Sequence, residues 1–202
     1  MSRITDIAAL DALYGPPVPA SLAKVADQLI PSYRAMIEAA PFCVLATCGP
    51  GGVDVSPRGD APGFVHIEDE RTLILPDRRG NNRIDSLRNL VADPALALLF
   101  LIPGLGETLR VNGTGEVHAA PDLCERFAVQ GKAPRTVLVV RVAEIYFQCS
   151  RAVLRARLWE PDSRVDRASL PTPGRILAEA SAGRIGVEYD VGLDARLRAN
   201  LY

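Results

Sequence analysis

Histidine is nearly missing from this 202-residue chain, with two copies, and cysteine is sparse, with four. Cys43, Cys48, Cys124 and Cys149 are scattered without a CxxC pair, so neither zinc-ribbon spacing nor a dithiol redox motif is present and no metal site is expected. Isolated cysteines of this kind fit reduced thiols and a cytoplasmic setting. No apolar run approaches the roughly 20 residues a membrane span needs. The opening "MSRITDIAALDALYGPP" lacks the basic-then-apolar order of a signal peptide, so no membrane association is expected. A large charge of either sign is also missing. Lys and Arg number 23 against 24 for Asp and Glu, so no overall field gathers nucleic acid, and any anion site must be local.

Catalytic signatures are equally scarce. "GLGETLRVNG" contains GxG but lacks a third glycine and leads into a strand, so it is not a dinucleotide fingerprint. Glu68, Asp69 and Glu70 form the densest acidic cluster, at an expected hairpin tip where acids are solvated. His66 and His118 fall on strand segments; each reads either as a proton donor or as an ordinary half-exposed strand residue. Cys149 ends a long apolar strand, and it reads as a small buried hydrophobe or as a redox group.

What remains is ordinary globular usage, 48% hydrophobic and 23% charged, which supports a core and one domain over 1–202. A helical N-terminal arm is expected over about 1–40 and a helical tail over about 151–202. Within the arm, residues 4–14 and 21–40 read as helices, the second with Leu22, Val25, Leu29, Tyr33 and Ile37 in period, Ser21 as N-cap and Pro41 as the stop. The period then changes. "FCVLATCGPGGVDVSPRG" reads as two strands around "GPGG", and "GFVHIEDERTLILPD" as a second hairpin. A helix from about Asn82 to Val91 should present Ile84, Leu87, Leu90 and Val91 on one face. "ALALLFLI", "ETLRVNGTGEVHA" and "RTVLVVRVAEIYFQC" supply three more strands, with a short helix near 122–129. About six strands in hairpins favour a mainly β fold, an antiparallel barrel with peripheral helices, over a doubly wound parallel sheet.

The densest chemical signal is "DRRGNNR", residues 77–83, where Arg78, Arg79, Arg83, Asn81 and Asn82 surround Gly80 at a strand-to-helix junction. Unpaired amides and the dipole at a helix start favour an anion, glycine permits close approach, and guanidinium groups add charge-assisted bonds. The stretch therefore reads either as a phosphomonoester site or as a solvated basic turn with an asparagine cap. Arg58 follows the strand "VDVSP", and Arg110 sits mid-strand in "ETLRVNG", where burial would require a partner. Either Glu107 or Glu116 would serve, as would a bound anion shared with the other arginines.

"FCVLATCGPGGVDVSPRGD", "LILPDRRGNNRIDSLRNL" and "GETLRVNGTGEV", in that order, resemble the pyridoxamine 5'-phosphate oxidase-like FMN-binding split-barrel family over roughly residues 20–160. They are most similar to a bacterial subgroup with an SPRGD, PDRxGNNR and GETLRVNG signature. The resemblance implies a six-stranded antiparallel split β-barrel and a homodimer with FMN in the interface; the leading expectation is redox chemistry on an unidentified small substrate, and, with no dinucleotide fingerprint, any NAD(P)H would bind only as a transient donor. It implies that Arg58 lines the flavin, that Pro76 and Asp77 lie along the ring and ribityl chain, and that Asn82 and Arg83 take the phosphate positions. Asn82 stands where the family usually has a cation, leaving Arg78 or Arg79 to supply charge, with Asn81 beside them. Thr108 and Arg110 are expected to approach ring or phosphate. The tail "VEYDVGLDARLRANLY" carries Arg196 and Arg198 but no histidine, unlike the segment that recognises vitamin B6 phosphate. Other outcomes of the same resemblance are a non-catalytic FMN carrier, or a split barrel holding haem or a deazaflavin.

Overall fold

The computed structural model describes residues 3–202. An antiparallel sheet occupies its centre, built from β1 (Phe42–Gly49), β2 (Gly52–Gly59), β3 (His66–Ile67), β4 (Thr72–Pro76), β5 (Ala95–Leu101), β6 (Thr108–His118) and β7 (Val137–Gln148). Their order across the sheet is β2-β1-β5-β6-β7-β4-β3. Six strands have five or more residues, as the hairpin pattern implies, and the two-residue β3 makes a seventh. No ladder joins β2 to β3, so the sheet is open. It nevertheless curls, because Asp60 at the exit of β2 meets Arg78 at the exit of β4.

Alternation along the strands generates the core. Cys43, Leu45, Leu98, Phe100, Leu109, Val111 and Ile145 are fully or almost fully buried on one face, and each large aliphatic or aromatic side chain so placed contributes about 1.5–3 kcal/mol. Leu109 and Val111 point inward while Arg110 is exposed on the other face, as the alternation predicts. Burial pushes the Cys43 thiol up to about 12, against a smaller opposing pull from Arg58, so this cysteine is an inert core residue.

The helices depart from expectation in instructive ways. The single helix expected over 21–40 is two helices, α2 (Pro19–Ala23) and α3 (Pro31–Ala39), after α1 (Ile7–Tyr14). Pro31 has no N–H to continue a helix and instead occupies the first turn of a new one. The extended chain between them exchanges two backbone bonds with β7, Ala26 to Ile145 and back. Ser21 is not an N-cap; its hydroxyl donates to the Val18 carbonyl. Leu29, Tyr33 and Ile37 are buried as the period predicts, whereas Leu22 is exposed.

Helix α4 (Asp85–Ala92) begins three residues later than the pattern suggests. Asn82 (φ 60°) and Ile84 (φ 53°) are left-handed and break the helical run. The docked face is accordingly Ser86 and Leu90, and Val91 is exposed. Ser86 donates to Asp54 at 2.7 Å and Asn89 Nδ2 to Thr47 at 3.1 Å, fastening α4 across β2 and β1. The rest comprises α5 (Pro121–Glu125), α6 (Arg151–Ala156), α7 (Pro173–Ala180) and α8 (Leu193–Arg198), with short 3-10 turns between the last three. No helix among the described residues is long and apolar enough to cross a membrane.

One glycine is sterically obligatory. At the register shift between Asn112 and Gly113 in β6, a Cβ on Gly113 would lie 2.0 Å from the Arg141 carbonyl oxygen, a backbone atom that cannot rotate away. Gly113→Ala is expected to lower stability by at least about 2 kcal/mol in urea unfolding. Val165→Ala, on an exposed loop position, should stay within about 0.5 kcal/mol. Equal midpoints for the two variants would contradict this reading of the bulge.

Candidate functional site

A cleft of about 450 Å³ lies between β2, the 76–84 loop and the start of α4. Eight of the ten residues singled out in the sequence for the cofactor line it: Arg58, Pro76, Asp77, Arg78, Arg79, Asn81, Asn82 and Arg83. They come from two separate motif blocks, brought together because the exits of β2 and β4 meet. The volume falls within the roughly 300–1,000 Å³ usual for small-molecule sites.

The loop is held from below by one side chain. Arg78 Nε donates to Asp60 Oδ2 at 2.7 Å, and Nη1 donates to the Phe127 carbonyl at 2.6 Å. Asp60 Oδ1 in turn accepts from the Tyr202 hydroxyl at 2.6 Å and from the Ala61 amide at 2.8 Å. The pair is sheltered, with Asp60 5% and Arg78 17% exposed. Arg78 is therefore largely committed to structure, and Nη2 is its one nitrogen without a protein partner among the described residues. Burial alone would raise the Asp60 carboxyl, but the Tyr202 hydroxyl, the Ala61 amide and Arg78 together hold it below the usual carboxylate range.

Above that support the loop is exposed. Gly80 has open space around its α-carbon, and a Cβ added there would meet no atom within 4 Å. Asn81 does not cap α4; its Oδ1 accepts from the Arg83 amide at 3.0 Å. Asn82 does not cap it either, and Ile84 stands at the N-cap without a side-chain bond. A β-branched residue in the left-handed region is uncommon and strained. Arg83 Nε pairs with Asp85 at 2.8 Å while its side chain stays 76% exposed, so solvent screens this pair and leaves Arg83 easy to recruit. Arg79 makes no ion pair or side-chain hydrogen bond among the described residues. Asp77 is half-buried, and burial raises its carboxyl, offset in part by Arg58. Burial also lowers the His66 imidazole, aided by Arg78 and Arg126; its ring packs edge-on against Phe127 at 4.6 Å.

Thr108 and Arg110 do not join this cleft within one chain. Directly opposed strand residues share a face. Arg58 lies opposite Cys43 on the inward face, whereas Arg110 lies opposite Leu99 and Tyr146, and Thr108 opposite Gln148, on the outward face. Arg110 is paired with neither Glu107 nor Glu116; Nη1 donates to the Tyr146 hydroxyl at 3.0 Å, with the guanidinium 5.6 Å from the ring centre. Asp60 and Tyr202 are the residues that sequence reasoning missed. Asp60 stood inside the "SPRGD" block, and an acid next to a motif arginine was the available signal; nothing local marked Tyr202.

Replacing Asp60 with Asn removes the countercharge of a sheltered guanidinium and should cost about 1–3 kcal/mol at pH 7. Because the folded carboxyl is depressed, its stabilising contribution is complete above the ordinary value near pH 4 and fades as pH falls through the lower folded value. Urea midpoints of wild type and variant should thus differ at pH 7 and converge in acid, once the pH falls below the depressed folded value. A gap that persists unchanged in acid would show that the charge of Asp60 is not what stabilises the loop.

Comparison with known proteins bears on the whole arrangement. No curated protein matches the sequence. Among solved structures, HupZ of Group A Streptococcus is similar at 18% identity, over 60% of this chain and 95% of that one, with a TM-score of 0.49. A protein related to general stress protein 26, of the pyridoxinephosphate oxidase family, from Clostridium acetobutylicum matches at 14% identity over 58% and 86%, TM-score 0.45. General Stress Protein 26 from Bacillus anthracis matches at 16% over 56% and 88%, TM-score 0.39. These scores add nothing on function. The family model for pyridoxamine 5'-phosphate oxidase, however, matches residues 29–149, which takes in every strand and the whole cleft loop, and the chain belongs to that family.

Proposed function

We propose that this protein is a cytoplasmic flavoprotein that binds FMN in the 450 Å³ cleft and uses it for redox chemistry on a small substrate. One observation carries the reading: Arg58 from β2 and the 76–83 segment after β4, distant in sequence, converge on one cleft. The residues present fit the group. The phosphate would sit against Gly80, Asn82 and Arg83, with Arg79 as the uncommitted second cation. Arg83 exchanges its exposed Asp85 partner for the phosphate. Arg58 and Pro76 would flank the ring, and Asp77, with its raised carboxyl, is suited to a ribityl hydroxyl. When bound, FMN supplies the hydride chemistry; the chain orients it, and Phe64, buried beside the cleft, limits water there.

The outward face supports a homodimer. Phe42, Val53 and Val55 are exposed there, next to the row Val44, Leu99 and Arg110. A two-fold partner is the commonest cover for such a surface. The GETLRVNG block, with Thr108 and Arg110 on that outward face, would then lie at the seam of the dimer. Neither histidine lines the cleft, so haem iron would find no imidazole there, and FMN is the reading the residues favour over haem. With no dinucleotide fingerprint, NAD(P)H would serve only as a transient donor.

Arg83→Ala should weaken FMN roughly ten- to a hundredfold while leaving riboflavin affinity within about twofold, since only FMN carries the phosphate. Equal losses for both ligands, measured by flavin fluorescence titration, would remove Arg83 from the phosphate site. Light scattering of the FMN-loaded protein at micromolar concentration should give a dimer mass. Anaerobic stopped-flow with NADH and NADPH should bleach bound FMN slowly; if neither does so while dithionite succeeds, the carrier reading takes precedence over the enzymatic one.

A further inference from the structure

Residues 161–202 are the distal part of the helical tail, and most of their side chains are exposed. Arg157 holds the near end through Glu160 and Asp162. The Trp159 indole also donates to the Leu105 carbonyl at 2.7 Å; beyond that point, the hydrogen bonds joining the tail to residues 3–156 all end on Tyr202. Its hydroxyl donates to Asp60 at 2.6 Å, and its main-chain oxygen accepts from Lys132 Nζ at 3.1 Å. Its ring lies 5.7 Å from the Arg78 guanidinium. No ion pair ties residues 161–202 to the sheet among the described residues. Tyr202 also walls a second cleft of about 350 Å³, which shares Asp77, Arg78, Arg79, Gly80 and Asn82 with the first and adds Lys132 and Arg135.

We propose that Tyr202 is a latch: it fastens the end of the tail at the wall of the second cleft and, through Asp60, positions Arg78 beneath the cofactor loop. The physical basis is a division of labour at one carboxylate. Asp60 has one oxygen for Arg78 and one for Tyr202, so each bond orients the acid for the other. The Tyr202 ring adds cation–π attraction to the same guanidinium. A segment with so little buried surface and so few cross-links opens at a low free energy. Release therefore removes one wall of the second cleft and frees Arg78 to move, which loosens the loop that cradles the ligand. Tyr202 touches no reacting atom in this scheme and acts as a positioning residue. The loop half of the proposal rests on the flavin reading; the latch half does not.

The experiment compares wild type, Tyr202→Ala and Tyr202→Phe as full-length chains. Limited trypsin digestion, followed by mass spectrometry at Arg164 and Arg184, reads tail opening without any ligand. Cleavage should be roughly tenfold faster in Tyr202→Ala and intermediate in Tyr202→Phe, which keeps the ring and loses the hydroxyl bond. Equal rates in all three proteins overturn the latch. In parallel, FMN release from loaded protein is timed by the recovery of free-flavin fluorescence. It should quicken severalfold in Tyr202→Ala, with a smaller change in Tyr202→Phe. Faster cleavage with unchanged FMN release overturns the positioning of the loop while upholding the latch. A wild type that holds no FMN sinks the flavin reading instead, and the digestion still decides the latch.

Discussion

The structure depends on how an open sheet is brought round on itself. Strands β2 and β4 lie five places apart in the sheet order, with no ladder joining the two edges. The sheltered Asp60–Arg78 pair bridges their exits at 2.7 Å. A charge pair in such a position adds little net stability over a well-packed apolar one, yet removing a single partner strands a charge. Its value here is geometric. It fixes where the 76–84 loop leaves the sheet, and so it decides that Arg58 and Arg83 face one cleft.

Charge in that cleft is arranged by availability more than by number. Arg58, Arg78, Arg79 and Arg83 meet Asp54, Asp77 and Asp85 among its lining residues. Arg78 is consumed by structure, Asp54 accepts from the Ser86 hydroxyl, and burial raises the Asp77 carboxyl against a partial opposing pull from Arg58. The exposed Arg83–Asp85 pair is the adjustable element. Strain at Asn82 and Ile84, both left-handed, keeps the backbone from continuing α4 upstream and leaves the loop amides free of helical partners. A phosphate would satisfy those amides and pair with the exposed Arg83 and the uncommitted Arg79 together.

Much of the sheet was legible because period-two alternation is local: β1, β2, β5, β6 and β7 follow from their own residues. The break at Pro31 was legible in principle, since proline without an N–H cannot continue the helix, but the apolar period through Leu29, Tyr33 and Ile37 concealed it. The later start of α4 was not legible, because left-handed asparagine and isoleucine are imposed by the loop's anchoring and not by propensity. The placement of Arg58, Asp77 and Arg83 in one cleft was readable only through the family resemblance. That Thr108 and Arg110 face away follows from strand parity, which the sequence contains, combined with register, which it does not. Tyr202 is a long-range partner of Asp60, separated by 142 positions, and no local pattern announces such a contact.

The central claim is that the cleft is built for a flavin whose phosphate the 78–83 loop recognises. Titration of the ligand-free wild-type protein with FMN, riboflavin and haem, followed by absorbance and fluorescence, tests it most directly. The account predicts stoichiometric FMN binding with a perturbed flavin spectrum, riboflavin weaker by roughly tenfold or more, and no competition by haem. Equal affinity for FMN and riboflavin, or displacement of FMN by haem, would contradict it.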